Sequence, residues 1–183
     1  NAFEINDETG DVIKITGNGI PNEITNGDFS AGSSGFNLMG SSYLTFNNNT
    51  IVMKKDLGLP NADVGIHQDK IANVNDLLYF NIRYKNASTN TGIDLRQFDY
   101  GAYTNPVKIM DVTTPGSSTS DFVNKSTLFT NTKNNFRFAL FAYITPDKNI
   151  DIEVDYIYMF NVSDMKLKGI KNDNGIPFAN LTN

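Results

Sequence analysis

The chain has 183 residues, 39% hydrophobic and 19% charged, with a net charge of -5 and an isoelectric point near 4.7. That length suits one domain with extensions and can bury a real core. An acidic chain with no cluster of Lys and Arg lacks the basic face that nucleic acid or an anionic membrane requires, and neither partner is expected. No apolar run approaches the roughly 20 residues of a transmembrane helix, and with no cysteine neither disulfides nor thiol chemistry can operate. The 26 Asn favour turns and left-handed positions, and the 13 Phe and 8 Tyr favour strands, so composition leans all-β.

Short runs bounded by Asn, Gly, Asp and Ser predict strands near 11–16, 22–29, 42–46, 50–56, 63–68, 76–85, 92–98, 106–111, 121–128, 135–145 and 151–161. No stretch carries a sustained helical period. Strands at this spacing predict a two-sheet antiparallel sandwich. Residues 1–21 are expected to form an N-terminal extension or linker hairpin around Glu8-Thr9-Gly10-Asp11, residues 22–164 the module itself, and residues 165–183 a polar C-terminal tail. Asn18-Gly19-Ile20-Pro21 recurs as Asn174-Gly175-Ile176-Pro177. With Asn1 as first residue, the chain is expected to be a piece of a longer polypeptide, one unit of a tandem array.

Three central strands alternate most clearly. Leu78, Phe80, Ile82 and Tyr84 share one face, against Asn81, Arg83 and Lys85. Ile93 and Leu95 oppose Asp94, Arg96 and Phe98; Phe136, Phe138, Leu140 and Ile144 oppose Arg137, Phe141 and Tyr143.

Catalytic constellations are sparse. His67 is the only histidine, too few for a zinc site built on imidazoles, and no Gly-x-Ser-x-Gly elbow accompanies it. The four Glu are Glu4, Glu8, Glu23 and Glu153. Asp94 with Glu153 is the pair that could flank a glycosidic bond, but acids on strands are more often solvated or paired with Arg. No catalytic residue is assigned. The only arginines are Arg83, Arg96 and Arg137, one on the polar phase of each central strand. If those strands are neighbours, one face carries an Arg row beside Phe98, Phe141 and Tyr143, with Asn81 and His67 on the same phase. Guanidinium forks and amides hydrogen-bond sugar hydroxyls, and aromatic rings supply a stacking platform. The alternative is that the Arg side chains neutralise Asp94 and Glu153 while other chain covers the aromatics. There is no Trp, so each site should bind weakly and gain from several copies.

Asn26-Gly27-Asp28-Phe29-Ser30, Ile66-His67-Gln68, Leu78-Tyr79-Phe80-Asn81-Ile82 and Val154-Asp155-Tyr156-Ile157 follow one another in an order that resembles jelly-roll carbohydrate-binding modules. The resemblance covers roughly residues 22–162 and implies an all-β jelly roll that binds sugar without catalysis. Ile152–Asn161, with its Tyr156-Ile157-Tyr158-Met159-Phe160-Asn161 run, is similar to modules of tailed-bacteriophage tail and baseplate proteins. That implies a virion component contacting host cell-surface polysaccharide or teichoic-type polymer, extracellular at the host surface, alongside other tail and baseplate proteins. The family also implies a structural calcium, for which Asp155, Asp28 and Ser30 are the candidate ligands; the usual opening Glu is replaced by Ser30. Two rival readings remain: a structural baseplate module that binds no sugar, and a glycan-degrading enzyme.

Overall fold

The computed structural model describes residues 2–5, 12–16 and 22–163. The first two segments are strands β1 (Ala2–Ile5) and β2 (Val12–Thr16), paired antiparallel. Ten strands follow: β3 (Asn37–Met39), β4 (Leu44–Asn47), β5 (Thr50–Lys55), β6 (Ala62–Lys70), β7 (Leu77–Asn86), β8 (Asp94–Asp99), β9 (Val107–Asp111), β10 (Val123–Thr130), β11 (Phe136–Ile144) and β12 (Ile150–Asn161). They form two antiparallel five-stranded sheets, ordered β10-β7-β12-β5-β4 and β3-β6-β11-β8-β9. Neighbours such as β7 and β12, or β6 and β11, are far apart in sequence; these are the crossovers of a jelly-roll sandwich. Among the described residues no helix is long and apolar enough to cross a membrane. The predicted tail 165–183 and both Asn-Gly-Ile-Pro copies lie outside the described residues.

The period-two pattern sets the core. Leu78, Phe80, Ile82 and Tyr84 of one sheet face Leu95, Phe136, Phe138, Leu140 and Ile144 of the other. Phe80 and Phe138 meet with ring centroids 5.8 Å apart. Burying such side chains contributes roughly 1.5–3 kcal/mol each, which fixes both inward sets.

One predicted strand is not a strand. Residues 22–29 run as turns beside the second half of β12. The apolar residues that suggested a strand, Ile24 and Phe29, are both 2% exposed, but they enter the core from a bent backbone. Asn26 is left-handed (φ 56°), and its amide donates to the carbonyls of Gly32 and Ser34 and accepts from the Ala31 N–H. Phe29 is also left-handed (φ 53°), an unusual conformation for a bulky residue, held by rings at 5.5 Å (Phe36) and 6.2 Å (Phe46). The segment is tied down by Gln68, whose side-chain amide donates to the Thr25 carbonyl (2.7 Å) and accepts from its N–H (3.1 Å). Lys70 donates to the Glu23 carbonyl. Asn counts translate directly into turns: of the seven described non-glycine residues with positive φ, six are Asn, namely Asn26, Asn48, Asn49, Asn75, Asn105 and Asn135.

Gly27 marks a close approach. The Ile157 N–H donates to its carbonyl at 2.7 Å, and a β-carbon placed on Gly27 would stand 2.0 Å from the Ile157 oxygen. Gly27→Ala should therefore push the opening segment off β12 and destabilise the protein by about 1–3 kcal/mol, read as a lower urea midpoint.

Candidate functional site

The outward face of the β3-β6-β11-β8-β9 sheet is assembled by register. Arg137 stands opposite Asp69 and Phe98; Ala139 opposite His67 and Arg96; Phe141 opposite Gly65 and Asp94; Tyr143 opposite Asp63. This brings Arg96, Phe98, Arg137, Phe141, Tyr143 and His67 together on one surface.

Arg83 and Asn81 do not join them. Both lie on β7, in the other sheet, and point away on the opposite side of the sandwich. The expected row of three arginines therefore does not exist: alternation reports which residues leave the core, not through which of two surfaces they leave. Arg83 pairs with Asp155 at 2.6 Å and lies 5.1 Å from the Phe122 ring centroid. Asn81 is only 6% exposed.

The three candidate calcium ligands all have protein partners. Asp155 gives its carboxylate to Arg83, and Asp28 turns onto Ser30, accepting from its hydroxyl (2.9 Å) and N–H (3.2 Å). Asp28, Ser30 and Asp155 thus satisfy local partners, and no three His, Cys, Asp or Glu converge as a metal site among the described residues. A calcium cage needs six to eight oxygens.

A residue absent from the sequence prediction organises the site. The loop after β8 carries Tyr103 over the sheet, where its ring meets His67 (5.2 Å) and Phe98 (5.5 Å) edge-on, and the Arg137 guanidinium lies 4.6 Å from its centroid. Phe98 continues to Phe141 at 5.8 Å, and Arg96 lies over Phe141 at 5.4 Å. The result is a chain of rings, His67–Tyr103–Phe98–Phe141, with guanidinium groups against Tyr103 and Phe141. Phe98 and His67 are 5% and 7% exposed, so they support the platform from beneath. Tyr103 (48%) and Tyr143 (55%) offer open rings. The signal for Tyr103 was present in Tyr100-Gly101-Ala102-Tyr103-Thr104-Asn105-Pro106: two tyrosines in a Gly- and Pro-marked turn have no core to enter. Gly65 makes room for Phe141; a β-carbon there would stand 2.2 Å from the Leu140 carbonyl oxygen and 2.5 Å from the Phe141 β-carbon.

Charges on this face are paired. Arg137 forks onto Asp69 through Nε (2.8 Å) and an Nη (3.1 Å); Arg96 donates from Nε (3.1 Å) and an Nη (2.5 Å) to one oxygen of Asp94; Lys108 bridges Asp94 (3.2 Å) and Asp111. The Arg137 hydrogen bond holds the Asp69 carboxyl below its usual range. Burial, then the Arg137 charge, pushes the His67 imidazole down, so it is neutral at pH 7, and its Nδ1 has no hydrogen-bond partner.

No protein-family model matches the sequence, and no curated protein matches it. Solved structures do resemble the fold. A family 61 carbohydrate-binding module in complex with β-1,4-galactotriose matches with a TM-score of 0.53 at 14% identity, over 77% of this chain and 99% of that one. A family 4 carbohydrate-binding module matches with a TM-score of 0.51 at 15% identity, over 72% and 97%. The enzymatically active domain of tailspike protein 4 of bacteriophage CBA120 matches at 0.49 and 13%, over 76% of this chain and 21% of that one. At these identities the likeness establishes the fold: the jelly-roll sandwich of carbohydrate-binding modules.

Asp99 anchors the Tyr103 loop. It accepts from Lys133 (2.8 Å), Thr104 (2.7 Å) and Asn105 (2.6 Å), which together hold its carboxyl down at about 2. A depressed carboxyl contributes order above its ordinary value and loses it as pH falls through the folded value. The Gly101 and Tyr103 amide resonances should thus be insensitive to Asp99 between pH 7 and 4 and shift as pH approaches about 2. Asp99→Asn should loosen the loop already at pH 7, read as faster amide exchange there.

Proposed function

We propose that this chain is a non-catalytic module that binds a saccharide on the β3-β6-β11-β8-β9 face, with Tyr103 and Tyr143 as stacking rings and Arg96, Arg137 and Phe141 flanking them. The observation that carries the reading is the exposure of two phenol rings on a surface whose guanidinium groups are already oriented by Asp69 and Asp94. Leaving rings open to water while their neighbours are locked is what a sugar platform requires.

The same pairing selects among ligands. Each cation on the face among the described residues, Arg96, Lys108 and Arg137, has a carboxylate, and Asp63 is exposed beside Tyr143. The surface presents directed N–H donors without a positive field, which suits a neutral polysaccharide better than a teichoic-type polymer. The similarity of Ile152–Asn161 to phage tail modules supports a tail or baseplate protein that adheres to the host wall, where repeated copies would raise avidity. A structural baseplate module without sugar binding is the second reading.

Affinity gels containing soluble neutral polysaccharides, and pulldown on purified Gram-positive cell walls, test the proposal. Tyr103→Ala and Tyr143→Ala should each weaken retention about tenfold, consistent with loss of a hot-spot ring, while Arg83→Ala leaves it unchanged. Retention that survives both Tyr substitutions removes the site. Raising NaCl from about 0.02 to 0.5 M should change affinity less than about twofold, since no net charge drives it. Release of reducing ends from the walls would convert the module into a glycanase and end the non-catalytic reading.

A further inference from the structure

The sheet opposite the proposed sugar face carries its own aromatic stripe. Tyr79 lies on β7 and Tyr156, Tyr158 and Phe160 on β12, with Tyr158 in register with Asn81 and Phe160 with Tyr79. Tyr156 and Tyr158 stack at 4.6 Å, Tyr158 and Phe160 meet at 6.1 Å, and Tyr79 and Phe160 stack at 6.5 Å. All of them alternate with core residues, Phe80, Ile82, Ile157 and Met159, so they leave the core on its outer side. Outward residues of a solvent-facing sheet should be wet. Here Tyr79 is 3%, Asn81 6% and Phe160 7% exposed. The ring contacts among them run along the sheet surface and cannot supply that burial from above.

We propose that the β1–β2 hairpin is the layer that covers this stripe. Three observations select it. First, the hairpin needs a partner: a lone two-stranded ribbon is marginal in water and gains stability by packing an apolar face. Second, its sequence has one. Phe3 is opposite Ile15 and Glu4 opposite Lys14 in the antiparallel register, and past a bulge at Ile13, Ile5 is opposite Val12, so the apolar pairs Phe3–Ile15 and Ile5–Val12 alternate with Glu4–Lys14. Third, the chain arrives at the right place. Asn22 accepts from the Met159 N–H at 2.9 Å and the Glu23 N–H donates to the Met159 carbonyl at 2.7 Å, which puts the start of the module between Tyr158 and Phe160. From Thr16 to Asn22 the chain can span at most about 20 Å, enough to lay the hairpin on β7 and β12. The hairpin thus acts as a strap closing the rear of the sandwich. It leaves the Tyr103 face as the surface for an external ligand.

The test uses the full chain. Methyl-to-ring nuclear Overhauser contacts should connect Phe3 and Ile15 with Tyr79 and Phe160, and β1–β2 amides should exchange about tenfold or more slowly than in a peptide of residues 1–21. The double variant Phe3→Asp, Ile15→Asp should bring those amides to the peptide rate and open Phe160 to a soluble paramagnetic probe. The sandwich amides of β6 and β11 should stay protected in that variant. The proposal is overturned if the hairpin exchanges at the peptide rate in the intact chain. It is equally overturned if the contacts to Tyr79 and Phe160 come from residues 164–183, or if protection appears only on self-association at rising concentration, which would make a second copy the occupant.

Discussion

The β6–β11 ladder fixes where everything on the proposed binding face can stand. It runs in unbroken register for nine pairs, from Ala62 opposite Ile144 to Lys70 opposite Phe136. Both strands must send Val64, Ile66, Phe136, Phe138, Leu140 and Ile144 into the core, and a slip of one residue would turn all of them out. The core therefore chooses the register, and the register then sets Arg137 beside Asp69, Ala139 beside His67, Phe141 beside Gly65 and Tyr143 beside Asp63. The site inherits its geometry from burial on the other face, at a position where the backbone is least free to move. β8, held on the far edge of β11, adds Arg96 and Phe98 by the same rule.

Within that frame the ion pairs orient more than they stabilise. The Arg96 and Arg137 side chains are 33% and 11% exposed, and their carboxylate partners 19% and 26%. Pairs with one foot in solvent contribute little net stability, on the order of 0–1 kcal/mol. Their consequence is directional: a guanidinium forked onto a carboxylate has one plane, and that plane lies against Tyr103 or Phe141. Small residues complete the device. Gly65 and Ala139 leave no bulk between the rings, and Ala139, although outward in its strand, is fully buried beneath its neighbours. The platform is thus a layer with its own packing, built on the sheet as a second course.

The sequence disclosed the strands well and their neighbours poorly. A period of two is visible within one strand, so the inward sets of β7, β8 and β11 are readable from single runs of residues. Pairing partners are a property of the whole chain. That is why Arg83, with the same alternation as Arg96 and Arg137, belongs to the other surface. The resemblance motifs sharpen the point. Asn26 staples a turn, Gly27 admits the Ile157 oxygen, Phe29 fills the core and Gln68 hydrogen-bonds both backbone groups of Thr25. They identify the architecture because they build it, and they say nothing of what is bound. The residue that does most for the site, Tyr103, sits in a loop, where no periodicity exists to expose it. Residues 22–29 misled for the converse reason: apolar spacing can be met by a bent segment as well as by a strand.

The two outward faces separate what an aromatic residue on a sandwich can mean. Both carry contiguous rings, both have an arginine against a ring, and composition alone would rank them equally. Exposure divides them. On the β10-β7-β12 side the rings nearest the chain entry are almost dry, which is how apolar surface behaves when packing has claimed it. On the β6-β11-β8 side Tyr103 and Tyr143 stay half open although Phe98 and His67, packed against Tyr103, are sealed. A loop able to bury Phe98 so completely could have buried Tyr103 too, had stability been the only requirement. Asp99 instead accepts two hydrogen bonds from that loop, at Thr104 and Asn105, and is itself tied to Lys133. Rigid presentation of a ring to water costs ordering entropy and leaves hydrophobic area unburied. The proposed saccharide platform would offset both costs, because a flat, weakly apolar sugar face would cover the ring.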